Sequence, residues 1–219
     1  MIITIDGPAG SGKSSTAKAI AKNLQIGFID SGALYRIATL IYLHTDGEKE
    51  FFEKLNKADI QIEFSSSGFQ AWLDGSDVTK QIRTQRVSEN VSNVAAMEQV
   101  RNRVNKQLRK IAENGKYIAD GRDLGTVVYP NADLKIFMIA DAEVRAHRRF
   151  DEQQAAGEDV AFEEILHNIK ERDQIDSNRA IAPLKKADDA VELDTSNMDF
   201  NDQVKAIINL IREKTEILN

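Results

Sequence analysis

The first residues with evident chemistry are Gly-Pro-Ala-Gly-Ser-Gly-Lys-Ser at positions 7–14. Gly7, Gly12, Lys13 and Ser14 occupy the fixed places of the pattern G-x-x-x-x-G-K-[ST]. Glycines let backbone N–H groups approach phosphate oxygens, Lys13 can reach the β- and γ-phosphates, and the Ser14 hydroxyl can bind Mg²⁺. The pattern predicts a nucleoside triphosphate site; the alternative is an accidental glycine-rich turn.

The flanking residues predict how this loop is held. Ile2–Asp6 is typical of a short buried strand, and Lys13–Lys22 has a helical pattern whose N-terminus would face the same anion. Ile26–Asp30 predicts a second strand, and Ser31 could cap a helix at Ala33–Leu43. This order of elements indicates a parallel α/β sheet.

The remaining elements follow in order along the chain. We expect core strands at Lys116–Asp120, Leu134–Ala140 and Ala190–Asp194, and a closing helix at Asn201–Ile217. Between the second and third core strands we expect a helix at Gly47–Ala58 and an antiparallel meander at Asp59–Lys80, with turns at 65–68 and Asp74-Gly75. Helices at Arg86–Ala95 and Glu98–Asn114 follow, the second stopped by Gly115. Between the fourth and fifth core strands we expect two helices within Asp141–Asp189 that turn near Gly157.

Composition limits the class of protein. A chain of 219 residues suits one well-cored domain, and its net charge of −6 argues against a general nucleic-acid surface. There is no cysteine for disulfides or thiolate metal sites, and His44, His147 and His167 show no metal-ligand spacing. No apolar run reaches membrane-spanning length, and the first strand leaves no room for a signal peptide. We therefore expect a cytoplasmic protein that binds neither nucleic acid nor membrane.

Charged residues follow three of the predicted strands. Ligands of open parallel sheets gather at the carboxyl ends of the strands, where Asp6-Gly7, Asp30-Ser31 and Asp120-Gly121-Arg122-Asp123 all fall. If the glycine-rich loop binds a phosphoryl donor, the other two turns are expected to face the acceptor. The alternative is that these aspartates are only helix caps, which for Asp30 is as good an interpretation.

Arginines are concentrated on two predicted helices. Arg145, Arg148 and Arg149 lie on one, and Arg172, Asp176 and Arg179 follow i, i+4, i+7 spacing on the next, which puts the three on one face. A solvated face with an ordinary salt bridge is the alternative. We favour a functional role, because phosphoryl transfer needs cations that neutralise the developing charge.

A binding switch of the GTPase type is excluded. Asn56-Lys57-Ala58-Asp59 matches the N-K-x-D guanine motif, but it lies in or beside a short helix, too close to the glycine-rich loop. No aspartate in the chain has glycine three residues later, so the D-x-x-G switch is absent.

Taken together, the motifs resemble those of the bacterial cytidylate kinases, in the superfamily of P-loop nucleoside monophosphate kinases. The matching segments run in family order across nearly the whole chain: 5–14, 30–36, 82–84, 118–128, 146–149, 169–173 and 178–184. The meander at 59–80 resembles the extra sheet that distinguishes bacterial members from smaller eukaryotic UMP/CMP kinases.

The resemblance implies a fold and a division of the chain. We expect one P-loop NTP hydrolase-type domain over residues 1–219: a parallel five-stranded sheet flanked by helices, with a small antiparallel β insert and a helical lid. Its core would comprise 1–58, 115–140 and 190–219, its acceptor-nucleotide insert 59–114, and its lid 141–189.

The resemblance also implies an activity, direct in-line transfer from ATP to CMP or dCMP in pyrimidine metabolism, with Mg²⁺ bound through ATP and Ser14. Its ATP-binding residues would be Gly7, Pro8, Ala9, Gly10, Ser11, Gly12, Lys13, Ser14 and Ser15. Its CMP-binding residues would be Ser31, Arg36, Ser92, Arg101, Arg122, Asp123, Arg172, Asp176 and Arg179. Its catalytic residues would be Lys13, Arg122, Arg148, Arg149 and Arg179.

Within that set, the resemblance associates Asp123, Arg101 and Ser92 with cytosine; alternatively, Asp123 caps the turn and orients Arg122. A monomer is expected. Two other functions stay open: a P-loop kinase for another monophosphate or a small metabolite such as shikimate, and a P-loop sensor that binds ATP without turnover.

Overall fold

In a computed structural model, which describes residues 1–65, 68–157 and 159–215, five strands form one parallel sheet. These strands are β1 (Ile2–Asp6), β2 (Gly27–Asp30), β6 (Tyr117–Gly121), β7 (Leu134–Ile139) and β8 (Val191–Asp194). Their order is β2-β6-β1-β7-β8, so β1 is central. Ile3 and Ile5 on one face and Thr4 and Asp6 on the other are all buried, as expected for a strand covered on both sides.

The other strands and the helices complete the secondary structure. A three-stranded antiparallel sheet contains β3 (Ile60–Ser65), β4 (Gly68–Leu73) and β5 (Ser76–Asp77). The helices are α1 (Lys13–Leu24), α2 (Ser31–Tyr42), α3 (Glu48–Lys57), α4 (Gln85–Ala95), α5 (Glu98–Ile111), α6 (Ala142–Ala155), α7 (Phe162–Asn178) and α8 (Phe200–Lys214). Among the residues that the structure describes, every helix is too short or too polar to cross a lipid bilayer.

The chain divides into two compact units. The first contains residues 1–28 and the described residues from 115 onward, and the second contains residues 29–114. This division follows packing and differs from the predicted functional one into core, insert and lid, which stays a prediction.

The predicted meander is confirmed in the second unit. The β3 and β4 strands pair from Ile60 with Leu73 to Ser65 with Gly68. Asp74 and Gly75 have φ values of 50° and 77°, the left-handed pair that a two-residue hairpin turn requires. The predicted turn at 65–68 includes residues 66 and 67, which lie outside the described residues.

Two predicted helix boundaries were wrong. Ser31 is the first residue of α2 rather than its cap, because the extended Asp30 occupies the cap position and its carboxylate accepts the N–H of Ala33 at 2.9 Å. The α5 helix ends at Ile111, and Gly115 instead lies in the turn before β6, where its carbonyl accepts the N-terminal amine.

The predicted lid and closing helices are present. Two helices, α6 and α7, flank a turn in which Gly157 has φ +77°. They pack on each other through a small apolar cluster of Ala146, Ile165 and Ile169. The closing helix α8 spans Phe200–Lys214; residues 216 and 217 of the predicted span lie outside the described residues.

Candidate active site

The glycine-rich loop between β1 and α1, residues 7–12, has the backbone conformation of an anion-binding loop. Gly7, Gly10 and Gly12 have φ values of +154°, +77° and +88°. A Cβ at Gly7 would lie 2.1 Å from the Met138 carbonyl oxygen, and one at Gly12 would lie 2.8 Å from the side chain of Gln203. Position 7 therefore requires glycine for both conformation and space, and position 12 requires it for conformation.

Lys13 is a buried cation at the start of α1. Its Nζ donates to the Pro8 carbonyl at 2.9 Å, across the base of the loop. Burial and repulsion from Arg122 and Arg172 together lower the pKa of Lys13 to about 7, against the opposite effect of Asp120 and Asp176. An anion in the loop would restore the charged form.

Ser14 and Asp120 bring together two oxygen atoms of the kind that Mg²⁺ prefers. The Ser14 hydroxyl donates to the carboxylate of Asp120, the residue before the last of β6. Within the described ranges, no three or more histidine, aspartate or glutamate side chains could hold a metal ion by themselves. The donor set thus fits an ion whose other ligands are nucleotide phosphates and water.

Asp6 joins the loop to the turn that follows β6. Its two carboxylate oxygens accept the N–H groups of Leu124 and Gly125 at 2.9 and 2.7 Å. Burial raises the pKa of Asp6 to about 6, although both hydrogen bonds favour the ionised form. A single carboxylate therefore fixes the turn that carries Arg122 and Asp123.

Five charged residues from that turn and from the end of α7 form what we call the arginine cluster: Arg122, Asp123, Arg172, Asp176 and Arg179. Arg122 donates to Asp176 at 2.9 Å, and Arg179 donates to Asp123 at 3.0 Å. Arg179 also lies 4.0 Å from Asp176. The structure thus brings together five of the residues predicted to bind CMP.

Burial decides whether Arg172, Asp176 and Arg179 form a functional group or a solvated face with an ordinary salt bridge. Asp176 and Arg179 are buried, which is incompatible with a solvated face. Burial would raise the pKa of Asp176, but Arg122 and Arg172 reverse that effect and hold it below its usual value. Burial, with repulsion from Arg122, lowers the pKa of Arg172 to about 10. Arg179 lies just past the end of α7 in an extended conformation, so the predicted helical spacing was wrong there.

The interpretation of Asp123 as a cap is wrong. Its side chain makes no capping hydrogen bond to the π-helical turn Leu124–Val128. Its carboxylate accepts a hydrogen bond from Arg179 at 3.0 Å. A role for Asp123 in cytosine recognition stays a prediction.

The three arginines of α6 differ in their surroundings. Arg145 is buried and makes four hydrogen bonds, to Ala9, Ala140 and Asp173. Arg148 donates to the carbonyls of Thr195 and Met198, and burial lowers its pKa. Arg149 is exposed and lies 3.4 Å from Glu152.

The remaining predicted CMP ligands belong to the second unit. Ser31 begins α2 and is buried. Arg36 donates to the Ile82 carbonyl at 3.1 Å and to the Ser88 hydroxyl at 2.9 Å. Ser92 is buried on α4, and Arg101 is buried on α5, over the ring of Tyr35.

Sequence analysis did not identify the roles of three residues that contribute to the candidate site. Asp6 was noted at a strand end without its role, Arg145 was grouped with the lid cations, and Thr195 was not considered. Asp6 and Thr195 show no local signal, because their partners are distant in sequence. For Arg145, the i, i+3, i+4 spacing with Arg148 and Arg149 puts all three on one face of α6, so the sequence gives no signal that separates it from them.

Solved structures support the fold alone. The chain resembles an uncharacterized protein from Eubacterium ventriosum with a TM-score of 0.54 and 16% identity, covering 97% of this chain and 98% of that one. It also resembles a shikimate kinase from Bacteroides thetaiotaomicron with a TM-score of 0.50 and 15% identity, covering 97% and 98%. The expected fold, a parallel five-stranded sheet flanked by helices with a small antiparallel sheet, is thereby confirmed.

Sequence relatives are much more similar. Residues 3–213 match the family model described as cytidylate kinase. The chain is 45% identical to a cytidylate kinase from Fusobacterium nucleatum, over 99% of this chain and 97% of that protein. It is 41% identical to a cytidylate kinase from Carboxydothermus hydrogenoformans, over the full length of both. The chain therefore belongs to the cytidylate kinase family.

Proposed function

We propose that this protein transfers the γ-phosphoryl group of ATP to CMP and dCMP, which yields ADP and CDP or dCDP. Family membership supports the acceptor. The observation that carries the chemistry is the electrostatic state of Lys13. Buried beside Arg122 and Arg172, it has a pKa of about 7, so a polyphosphate and a second phosphate would relieve a repulsion that the ligand-free protein contains.

The donor side would use residues 7–15. Backbone N–H groups of the loop and the N-terminus of α1 would bind the β-phosphate, and Lys13 would exchange the Pro8 carbonyl for phosphate oxygens. Arg148 and Arg149 are proposed to act on ATP from the lid. Mg²⁺, held by ATP with Ser14 and Asp120, would neutralise charge on the β- and γ-phosphates.

The acceptor side would use the residues that the family resemblance associates with CMP. We assign the CMP phosphate to Arg36, Arg122 and Arg179, the sugar and adjoining phosphate to Ser31, Arg172 and Asp176, and cytosine to Ser92, Arg101 and Asp123. Arg122 and Arg179 are already oriented by carboxylates, which reduces the reorganisation that substrate binding requires. No general base is assigned, because the CMP phosphate is itself an anionic nucleophile.

The test is a stoichiometric assay of the purified protein with ATP, Mg²⁺ and CMP. We expect one CDP and one ADP per turnover, loss of activity in EDTA, and no ATP hydrolysis at a comparable rate without CMP. ATP binding without CDP formation would instead support the sensor function. We also propose that the enzyme is cytoplasmic and acts as a monomer. Sedimentation at assay concentrations would check the monomeric state.

A further inference from the structure

Two carbonyl groups of the glycine-rich loop face side chains from distant parts of the chain. The Ala9 carbonyl accepts Nη1 of Arg145, on α6, at 2.9 Å. The Ser11 carbonyl lies 3.4 Å from the hydroxyl of Thr195, which follows β8 and is closer, at 3.0 Å, to the Ile139 carbonyl. The loop is therefore shaped by residues outside the motif that defines it.

Fixing a carbonyl also fixes the next N–H group. A planar trans peptide points its C=O and N–H in opposite directions. The Ala9 carbonyl, held by Arg145, and the Ser11 carbonyl, which faces Thr195, therefore leave the N–H groups of Gly10 and Gly12 directed toward the inside of the loop. Within residues 1–65, 68–157 and 159–215, these two N–H groups have no hydrogen-bond acceptor. They are thus directed at the space that an anion would fill.

Arg145 is well fixed for this role. Its guanidinium forms a two-pronged ion pair with Asp173 of α7, at 3.1 and 2.6 Å, and its Nε donates to the Ala140 carbonyl at 2.8 Å. The side chain is 5% exposed. The helix also packs closely on the loop, because a Cβ at Gly10 would lie 3.2 Å from the Cβ of Arg145.

We propose that Arg145 is a positioning residue for the phosphoryl donor, which holds the Ala9 carbonyl so that the Gly10 N–H faces the polyphosphate. It acts through the loop backbone and does not itself touch the nucleotide. Asp173 fixes the guanidinium in turn. The inference rests on the proposed function, in which ATP occupies this loop.

The test measures calorimetric affinities of Arg145→Met, Arg145→Lys and Asp173→Asn for three probes. These are a non-hydrolysable ATP analogue, magnesium tripolyphosphate and CMP. Tripolyphosphate has no base or sugar, so it separates an effect through the loop from a direct contact with adenosine. Arg212→Met, an exposed arginine of α8, is the matched control, and melting temperatures show whether each variant is folded.

We expect Arg145→Met to weaken the binding of the ATP analogue and of tripolyphosphate by the same factor, at least tenfold. Its affinity for CMP should stay within about twofold of the wild-type value. Arg145→Lys should recover part of the loss because one donor remains, and Asp173→Asn should lose severalfold. If Arg145→Met does not fold, the other two variants decide. Unchanged tripolyphosphate affinity in folded variants would overturn this inference and leave the proposed function standing. Failure of the wild-type protein to bind ATP would instead overturn the proposed function.

Discussion

Lys13 and the arginines of the cluster are buried cations that the structure compensates in different ways. Lys13 donates to a neutral carbonyl, and its pKa falls to about 7. Arg122 and Arg179 each contact a carboxylate, at 2.9 and 3.0 Å. A phosphate can easily displace the carbonyl from Lys13, whereas the arginines keep their orientation before substrate arrives. In the proposed function, the donor side would thus be prepared to exchange its hydrogen-bond partner, and the acceptor side would be organised before substrate binds.

The largest effect should come from removing the exchangeable cation. We expect Lys13→Ala to lower kcat roughly a hundred- to a thousandfold, the range for loss of one preorganised group that stabilises transition-state charge. The fold should persist, because burial already disfavours the charged form of this lysine. The measurement is steady-state kinetics beside thermal unfolding. Lys22→Ala, an exposed lysine on the same helix, is the control. A folded Lys13→Ala protein with near-normal turnover would refute its assigned role.

The second prediction concerns Asp6, which links the two sides. The folded-state pKa of Asp6, about 6, lies above the ordinary value of 3.8. Its titration therefore contributes stability that is fully present below about pH 3.8 and is lost as pH rises through about 6. As pH rises through that window, the unfolding free energy of the wild type should fall by about 2–3 kcal/mol relative to that of Asp6→Asn, which lacks the titrating carboxyl group.

Urea unfolding of both proteins at several pH values between 4 and 7 measures this difference. Comparable m-values are needed to show that the same transition is compared. Parallel stability curves would mean that Asp6 does not titrate there.

The third prediction concerns the organised side. An amide in place of the Asp123 carboxylate loses its charge and can donate to a uracil carbonyl. We expect Asp123→Asn to lower kcat/KM for CMP at least tenfold, about 1.4 kcal/mol, and to narrow the preference for CMP over UMP.

Since Asp123 also contacts Arg179, a control must separate base recognition from loss of that pair. Arg179→Lys should lower kcat/KM for CMP and for UMP by the same factor and leave the CMP/UMP ratio unchanged. An unchanged ratio in a stable Asp123→Asn protein would place cytosine recognition elsewhere, and Arg101 would be the next residue to test.

The two sides also differ in how much of them the sequence predicts. The glycine-rich loop is made by consecutive residues between a strand and a helix, so its position, its glycines and Lys13 could all be inferred from local pattern. The arginine cluster joins residues 54 and 56 positions apart, Arg122 with Asp176 and Arg179 with Asp123. Its members were predicted, but the pairing was not, because it depends on how α7 packs beside the end of β6.

Burial is the other property that local sequence leaves open. Arg145, Arg148 and Arg149 lie on one helix and have the same charge, so their composition alone gives no reason to separate them. In the structure one holds the loop, one holds the carbonyls of Thr195 and Met198, and one is exposed. Similarly, Asp30 and Ser31 are both good cap residues, and the backbone conformation selected Asp30.

The central claim is that a prepared donor loop and an organised arginine cluster together serve transfer to a cytidine monophosphate. Its most direct test is kcat/KM for CMP, dCMP, UMP, AMP, GMP and TMP, with saturating ATP and Mg²⁺. We predict CDP and dCDP as products, with CMP or dCMP at least tenfold better than every purine nucleotide and TMP. Equal or better use of AMP, GMP or TMP, or no turnover of CMP by a folded protein that binds ATP, would contradict the account.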